Sequence, residues 1–353
     1  MRIVERYSRG MRIYLAREGW SLLVPLRFVL SLGHGFLLRL SPAPCPARRS
    51  GAGGPGPSVI SVGNLVAGGA GKTPCVLAIA SELKRRGRSP AVICSGYGGT
   101  ARDAGRPVVA VPAGPGGRHV GVLGDEAALY LDEGLPVVVC RDRARAIETA
   151  CGELGPTHII LDDAFHRTEL EKDLDILLLD HRRPFGNGRL LPGGELREPP
   201  SAARRADAIV FTRACGSSVP AEAAPHLGAA PVFFARHLPA GLTGRDGRPV
   251  DVSSVSGRPV VLFSGIARHD SFEDLAREAG LDPAVSVRFD DHHRYRADDA
   301  DLIVSQEGAG AVFVTTGKDW EKALRAMPSS VEILRLGMRM EIEGIERLLA
   351  PVI

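Results

Sequence analysis

From residue 58 onward the chain alternates short apolar runs with longer stretches in which apolar residues recur at helical spacing. The runs at 59–62, 91–94, 136–140, 158–161, 175–179 and 208–211 have the length of buried strands. After the first, Val76, Leu77, Ala80 and Leu83 form one apolar stripe, with Pro74 suited to a first helical turn and Gly87 to its end. This alternation predicts an α/β fold, a mostly parallel sheet with helices on both faces. An Ala-, Pro- and Ser-rich stretch at 214–231 marks a boundary, and 232–250 reads as a crossing segment. A second, smaller α/β unit follows, with strands predicted at 260–263, 285–289, 311–315 and 331–335.

The first 57 residues differ. In 21–40 a helix would carry Arg27, Ser31 and His34 on one face and Leu22, Leu26, Val29, Leu30, Gly33 and Phe36 broadly on the other. A central arginine costs about 2.5–3.5 kcal/mol in a membrane span, so the pattern predicts a helix in the membrane interface, with a helix docked on its own domain as the alternative. Pro, Gly, Ala and Arg dominate 42–57, a linker composition. The expected domains are therefore 1–57, 58–228 and 229–353.

Composition narrows the classes. With 353 residues and 44% hydrophobic content the chain can build two cores. The net charge of +3 hides an asymmetry: nine arginines against Glu5 and Glu18 make residues 1–50 +7. Without interleaved stacking aromatics, that charge points to an anionic membrane surface and away from nucleic acid. Cys45, Cys75, Cys94, Cys140, Cys151 and Cys215 show no C-x-x-C pair and read as reduced thiols.

The strongest local signal is Val66-Ala67-Gly68-Gly69-Ala70-Gly71-Lys72-Thr73, between the first strand and the first helix. Backbone N–H groups freed by the glycines can face phosphate oxygens, Lys72 can reach the β- and γ-phosphates, and the Thr73 hydroxyl can ligate Mg²⁺. The strict phosphate-loop pattern has glycine where this chain has Val66. Asp162 and Asp163 follow the strand at 158–161, where ligands bind in open α/β sheets, and suit Mg²⁺. Asp125 opens a helical stretch, where the dipole favours its charged form; it reads as a proton acceptor or as a helix cap. Arg189, Arg197 and Glu198 lie in a Gly- and Pro-rich loop that can clamp phosphates or form plain surface. His292 follows a strand with Asp291 as partner.

In order, Ser61-Val62-Gly63-Asn64, the phosphate loop, Gly96-Tyr97-Gly98-Gly99, Gly124-Asp125-Glu126, Asp142-Arg143, Leu161-Asp162-Asp163, Leu196-Arg197-Glu198-Pro199, Asp291-His292-His293-Arg294-Tyr295 and Thr316-Gly317-Lys318-Asp319 resemble the tetraacyldisaccharide 4'-kinase family. Its loop also lacks the first glycine. The resemblance implies ATP and Mg²⁺ as cofactors and transfer of the γ-phosphate to the 4'-hydroxyl of a tetraacylated glucosamine disaccharide 1-phosphate. The product is lipid IVA of lipid A biosynthesis, and the setting is the cytoplasmic face of the inner membrane, with no protein partner. It implies Asp125 as general base, assisted by Asp291 and His292. Lys72 and Thr73 are then the phosphate and Mg²⁺ contacts, Asp162, Asp163 and Glu198 the metal side, and Arg143 and Arg197 the charge-neutralising arginines. The chain departs at Ser95, which replaces an arginine, and at His166 and Arg167, which replace Gln-His; Arg167 or Arg141 is expected to supply a missing cation. A P-loop ATPase or switch, or a catalytically impaired ATP-binding relative, is the alternative. The guanine signature Asn-Lys-x-Asp is absent from the sequence.

Overall fold

A computed structural model describes residues 1–7, 56–112, 120–308 and 310–353 of the chain. The interface helix expected at 21–40 lies outside the described residues, as does nearly all of the 42–57 linker. The chain divides into two units. One holds residues 56–236 and Met340–Ile353, the other residues 1–7 and His237–Arg339.

After β1 (Arg2–Arg6), which belongs to the other unit, the phosphate-loop unit begins with β2 (Ser58–Asn64) and α1 (Lys72–Arg85). It continues through β3 (Pro90–Cys94), β4 (Val108–Ala110), α2 (Val120–Leu123), α3 (Asp125–Asp132), β5 (Val137–Val139), α4 (Arg143–Glu153), β6 (His158–Asp162), β7 (Leu174–Asp180) and β8 (Ala208–Thr212). The strands lie in the order β8-β7-β2-β6-β3-β5-β4, all neighbours parallel except the short edge strand β4, antiparallel to β5. Every residue of β7 is buried. Ile176 and Leu178 enter one core while Leu177 and Leu179 enter another, so period-two alternation feeds both faces and the strand reads as a continuous apolar run. That is why the parallel strands are visible in the sequence. Gly63 answers a close approach: a Cβ there would lie 2.6 Å from Phe165 Cβ and 2.7 Å from the Phe165 backbone nitrogen. The site-bearing turn after β6 therefore packs directly on β2.

The other unit contains β11 (Val260–Ser264), α5 (His269–Glu278), β12 (Pro283–Phe289), α6 (Ala297–Val304), β13 (Val312–Thr316), α7 (Gly317–Ala326) and β14 (Ile333–Ile342). Its parallel order is β1-β12-β11-β13-β14. Segment 232–250 forms a long strand β9 (Val232–Thr243) and a short antiparallel partner β10 (Pro249–Val250). The chain passes between the units within β9 and β14, and the tail after β14, with α8 (Ile345–Leu349), packs in the phosphate-loop core through Leu348, Leu349 and Val352. Strand β1 is a finding the pattern did not predict. Arg2, Glu5 and Arg6 break its apolar run, and Val4 is its contribution to the core. Pairing with β12 holds it, and Arg6 Nε lies 3.2 Å from the buried Asp299. No helix among the described residues is long and apolar enough to cross a membrane.

Candidate functional site

The C-terminal ends of β2, β6, β7 and β8 lie side by side, and the predicted phosphate loop leaves the first of them. Beyond a bend at Leu65, Val66 bridges Leu196, Arg197 N–H donates to the Leu65 carbonyl at 2.8 Å, and Ala67 N–H donates to the Glu195 carbonyl at 2.7 Å. Val66 packs against the core cluster that contains Leu65, Phe165 and Leu196. A side chain there is useful, so the glycine of the strict pattern is not required. Glycine is required further on. Gly68 has φ 120° and Gly71 has φ 85°, both in the range that side chains avoid, and Gly71 caps α1 without a side-chain hydrogen bond.

The same pairing brings the 189–198 loop over the acids. Arg197 Nη1 donates to both oxygens of Asp163, at 3.0 and 2.9 Å, and Lys72 Nζ lies 3.6 Å from Asp163. Lys72 also donates to Asn64 Oδ1 at 3.0 Å, so the last residue of β2 aims the lysine. Asn64 stands in the Ser61-Val62-Gly63-Asn64 motif but was given no role there; its signal was a polar residue ending an apolar strand. Burial raises Asp163, yet Lys72 and Arg197 outweigh it and hold the carboxyl below its ordinary value. Asp162 goes the other way, raised by burial and then by the charge of Glu126, with Lys72 opposing. Tyr130 of α3 donates to Asp162 Oδ2 at 2.8 Å, while Oδ1 is buried without a hydrogen-bond partner. That bond ties the helix that Asp125 opens to the end of β6. Asp125 itself is 9% exposed at the first position of α3.

Arg143 and Glu198 occupy different surroundings from those expected. Arg143 is buried, donating to the Cys140 and Asp162 carbonyls at 2.5 and 3.0 Å, and so joins the ends of β5 and β6. Glu198 accepts from His166 Nδ1 and from both terminal nitrogens of Arg205, whose guanidinium lies 4.2 Å from the Phe165 ring centroid. His166, one of the departures, thus meets a carboxylate. Arg167 pairs with Glu169 at 3.5 Å and Arg141 with Asp103 at 3.9 Å, both on the surface. Neither is drawn toward the phosphate loop by those pairs.

Asp291 and His292 belong to the other unit. His292 takes φ 61°, its N–H donates to the Gly265 carbonyl at 3.0 Å, and Lys318 Nζ lies 3.3 Å from Asp291 Oδ1 and 3.2 Å from His292 Nε2. The ammonium can only donate, so that bond assigns Nε2 the acceptor role and the ring proton to Nδ1. Lys318 is a member of the cluster that sequence reasoning quoted but gave no part.

A family model described as tetraacyldisaccharide-1-P 4'-kinase matches residues 23–353. The tetraacyldisaccharide 4'-kinase of Geobacter metallireducens is 42% identical over 272 residues, 74% of this chain and 77% of that protein. That of Anaeromyxobacter sp. strain Fw109-5 is 39% identical over 304 residues, covering 82% and 79%. The crystal structure of "apo" form LpxK from Aquifex aeolicus in complex with ATP superposes with a TM-score of 0.69 at 27% identity, over 94% of this chain and 97% of that one. With this phosphate loop, these strand-end acids and a family match spanning nearly the whole length, the chain belongs to the tetraacyldisaccharide 4'-kinase family.

Proposed function

We propose that the chain is an ATP-dependent kinase that transfers the γ-phosphate to the 4'-hydroxyl of a tetraacylated disaccharide 1-phosphate, giving lipid IVA. The observation that carries the reading is the phosphate loop with Lys72 set against the strand-end acids inside a chain of this family. ATP lies with its phosphates on the loop, facing the N-terminus of α1, where no side chain competes for the helix amides. Lys72 draws the β- and γ-phosphates, and Arg197 offsets charge beside Asp163.

Asp125 takes the proton of the 4'-hydroxyl as the hydroxyl oxygen bonds to the γ-phosphorus; the bond from that phosphorus to the bridging oxygen breaks and ADP leaves. Asp125 stands in the first turn of α3, at the positive end of the helix dipole. Asp291 and His292 assist from their own unit, with Lys318 fixing the tautomer.

The residues present fit Mg²⁺, which takes one or two carboxylates together with water and substrate phosphates. Asp162, with its unpartnered buried Oδ1, and Thr73 would hold it, with Asp163 beside them. When bound, the ion supplies positive charge across the phosphate oxygens. Glu198 is left out of the ligand set because His166 and Arg205 already occupy its oxygens. A lipid acceptor and the +7 charge of residues 1–50 support a peripheral position on the cytoplasmic face of the inner membrane.

The test is incubation with Mg-ATP and the disaccharide 1-phosphate in detergent micelles, followed by mass analysis of the lipid. A gain of one phosphate at the 4'-position is expected. Folded protein that hydrolyses ATP with no effect of acceptor, or makes no product, sinks the reading.

A further inference from the structure

Among the described residues, those outside glycine with φ between +20° and +160° are Asp163 at 55°, Arg213 at 54° and His292 at 61°. Two of the three belong to the proposed chemistry. Such backbone persists where its surroundings impose it, and it concentrates at functional sites. Arg213 has no part in the mechanism above, yet it follows β8 directly, on the same sheet edge as the phosphate loop.

Its side chain explains the turn. Arg213 Nε and Nη2 donate to Asp180 Oδ2, at 3.1 and 2.6 Å, and Nη2 also donates to the Gly69 carbonyl at 2.9 Å. The preceding residue does the same from the interior: the Thr212 hydroxyl, fully buried, donates to the Ala70 carbonyl at 3.0 Å. Asp180 ends β7 and pairs in register with Thr212, so both anchors sit on adjacent strand ends. Two consecutive carbonyls of the phosphate loop, Gly69 and Ala70, are thereby held from β8. In a peptide unit the carbonyl and the following N–H point in opposite directions, so holding these carbonyls turns the other way the Ala70 amide, which donates to the Gly68 carbonyl at 3.0 Å, and the Gly71 amide.

We infer that Arg213, anchored by Asp180 and supported by Thr212, is a positioning residue that sets the phosphate loop in its nucleotide-accepting shape. The inference rests on the proposed ATP reading. It predicts a separation of effects: ATP affinity depends on the brace, whereas acceptor binding does not.

The experiment measures ATP dissociation constants by calorimetry and steady-state kinetics for wild type, Arg213→Ala, Arg213→Lys and Asp180→Asn, with thermal melts to establish folding. Arg213→Ala is expected to raise the ATP Kd and the KM for ATP about tenfold, equivalent to about 1.4 kcal/mol. kcat stays within about threefold and the KM for the lipid is unchanged. Arg213→Lys, which keeps a donor but loses the fork, recovers part of the loss, and Asp180→Asn falls between wild type and Arg213→Ala. If Arg213→Ala does not fold, the same ordering of Arg213→Lys and Asp180→Asn carries the test. Unchanged ATP affinity in folded variants, or an equal rise in both KM values, overturns the inference. Wild type that fails to bind ATP overturns the functional proposal instead.

Discussion

Both units use one local device and put it to different ends. In each, an acid and a left-handed residue follow a strand, and a lysine from the start of a helix meets the acid. Lys72 opens α1 and lies 3.6 Å from Asp163, and Lys318 is the second residue of α7 and lies 3.3 Å from Asp291. The helix starts differ. α1 begins at a glycine with no side-chain cap, whereas α7 begins at Thr316, whose hydroxyl accepts from the Asp319 N–H at 3.1 Å and donates to the Asp319 carboxylate at 2.8 Å. There the Thr316 hydroxyl takes a helix amide and the buried Asp319 carboxylate places a negative charge at the dipole's positive end, the place an anion would need. Similar charge pairs thus suit the proposed phosphate-holding role in one unit and the proposed proton-handling role in the other.

The largest expected effects would break this contrast if they failed to separate. Lys72→Ala should weaken ATP binding, while Asp125→Ala should cut turnover by about 10²–10⁴ and leave ATP affinity nearly unchanged. Parallel calorimetry and phosphate-transfer assays distinguish them; equal loss of ATP binding would remove Asp125 from the acceptor side. Next, Lys318→Ala should lower kcat about tenfold with no change in ATP affinity, and Lys318→Arg should restore part of it. Weakening of ATP binding comparable to that of Lys72→Ala would make the two lysines equivalent.

A smaller effect sharpens the first half of the contrast, in which ion pairs lock the unit. Burial raises the Glu198 carboxyl, but hydrogen bonds from His166 and Arg205 overcome it and lower the value to about 2. Since the folded value lies below the unfolded one, this stabilisation is present above about pH 4.5 and is lost as pH falls toward 2. Glu198→Gln should cost on the order of 2 kcal/mol at pH 7. In denaturant titrations the gap should narrow between pH 4.5 and pH 3; a constant gap contradicts the pairing. The smallest effect concerns Val66. Restoring the strict motif with Val66→Gly should destabilise by about 0.5–1 kcal/mol and bring no tighter ATP binding.

Much of the phosphate-loop unit was legible because parallel strands covered on both faces are apolar throughout, and glycines before Lys-Thr have few other uses. What escaped was the work of isolated polar residues. Asn64, Thr212 and Arg213 each end or follow an apolar run and look like ordinary turn residues until neighbouring strands bring them to the loop. Strand β1 was illegible for the opposite reason: an edge strand with charged residues lacks the run that marks a buried one. The expected metal role of Glu198 came from the family resemblance of its motif, and the cation that reaches it, Arg205, arrives from beyond the next turn.

Strand β1 changes what residues 8–55 are in terms of chain topology. In chain order they lie between β1 of one unit and β2 of the other, so the arginine-rich segment is tethered at both ends. Trimming from the N-terminus strips an edge strand from the unit that carries His292 before it reaches most of the basic residues. An internal deletion within 8–55, bridged by a short Gly-Ser linker, tests the proposed membrane docking with that edge strand kept in place.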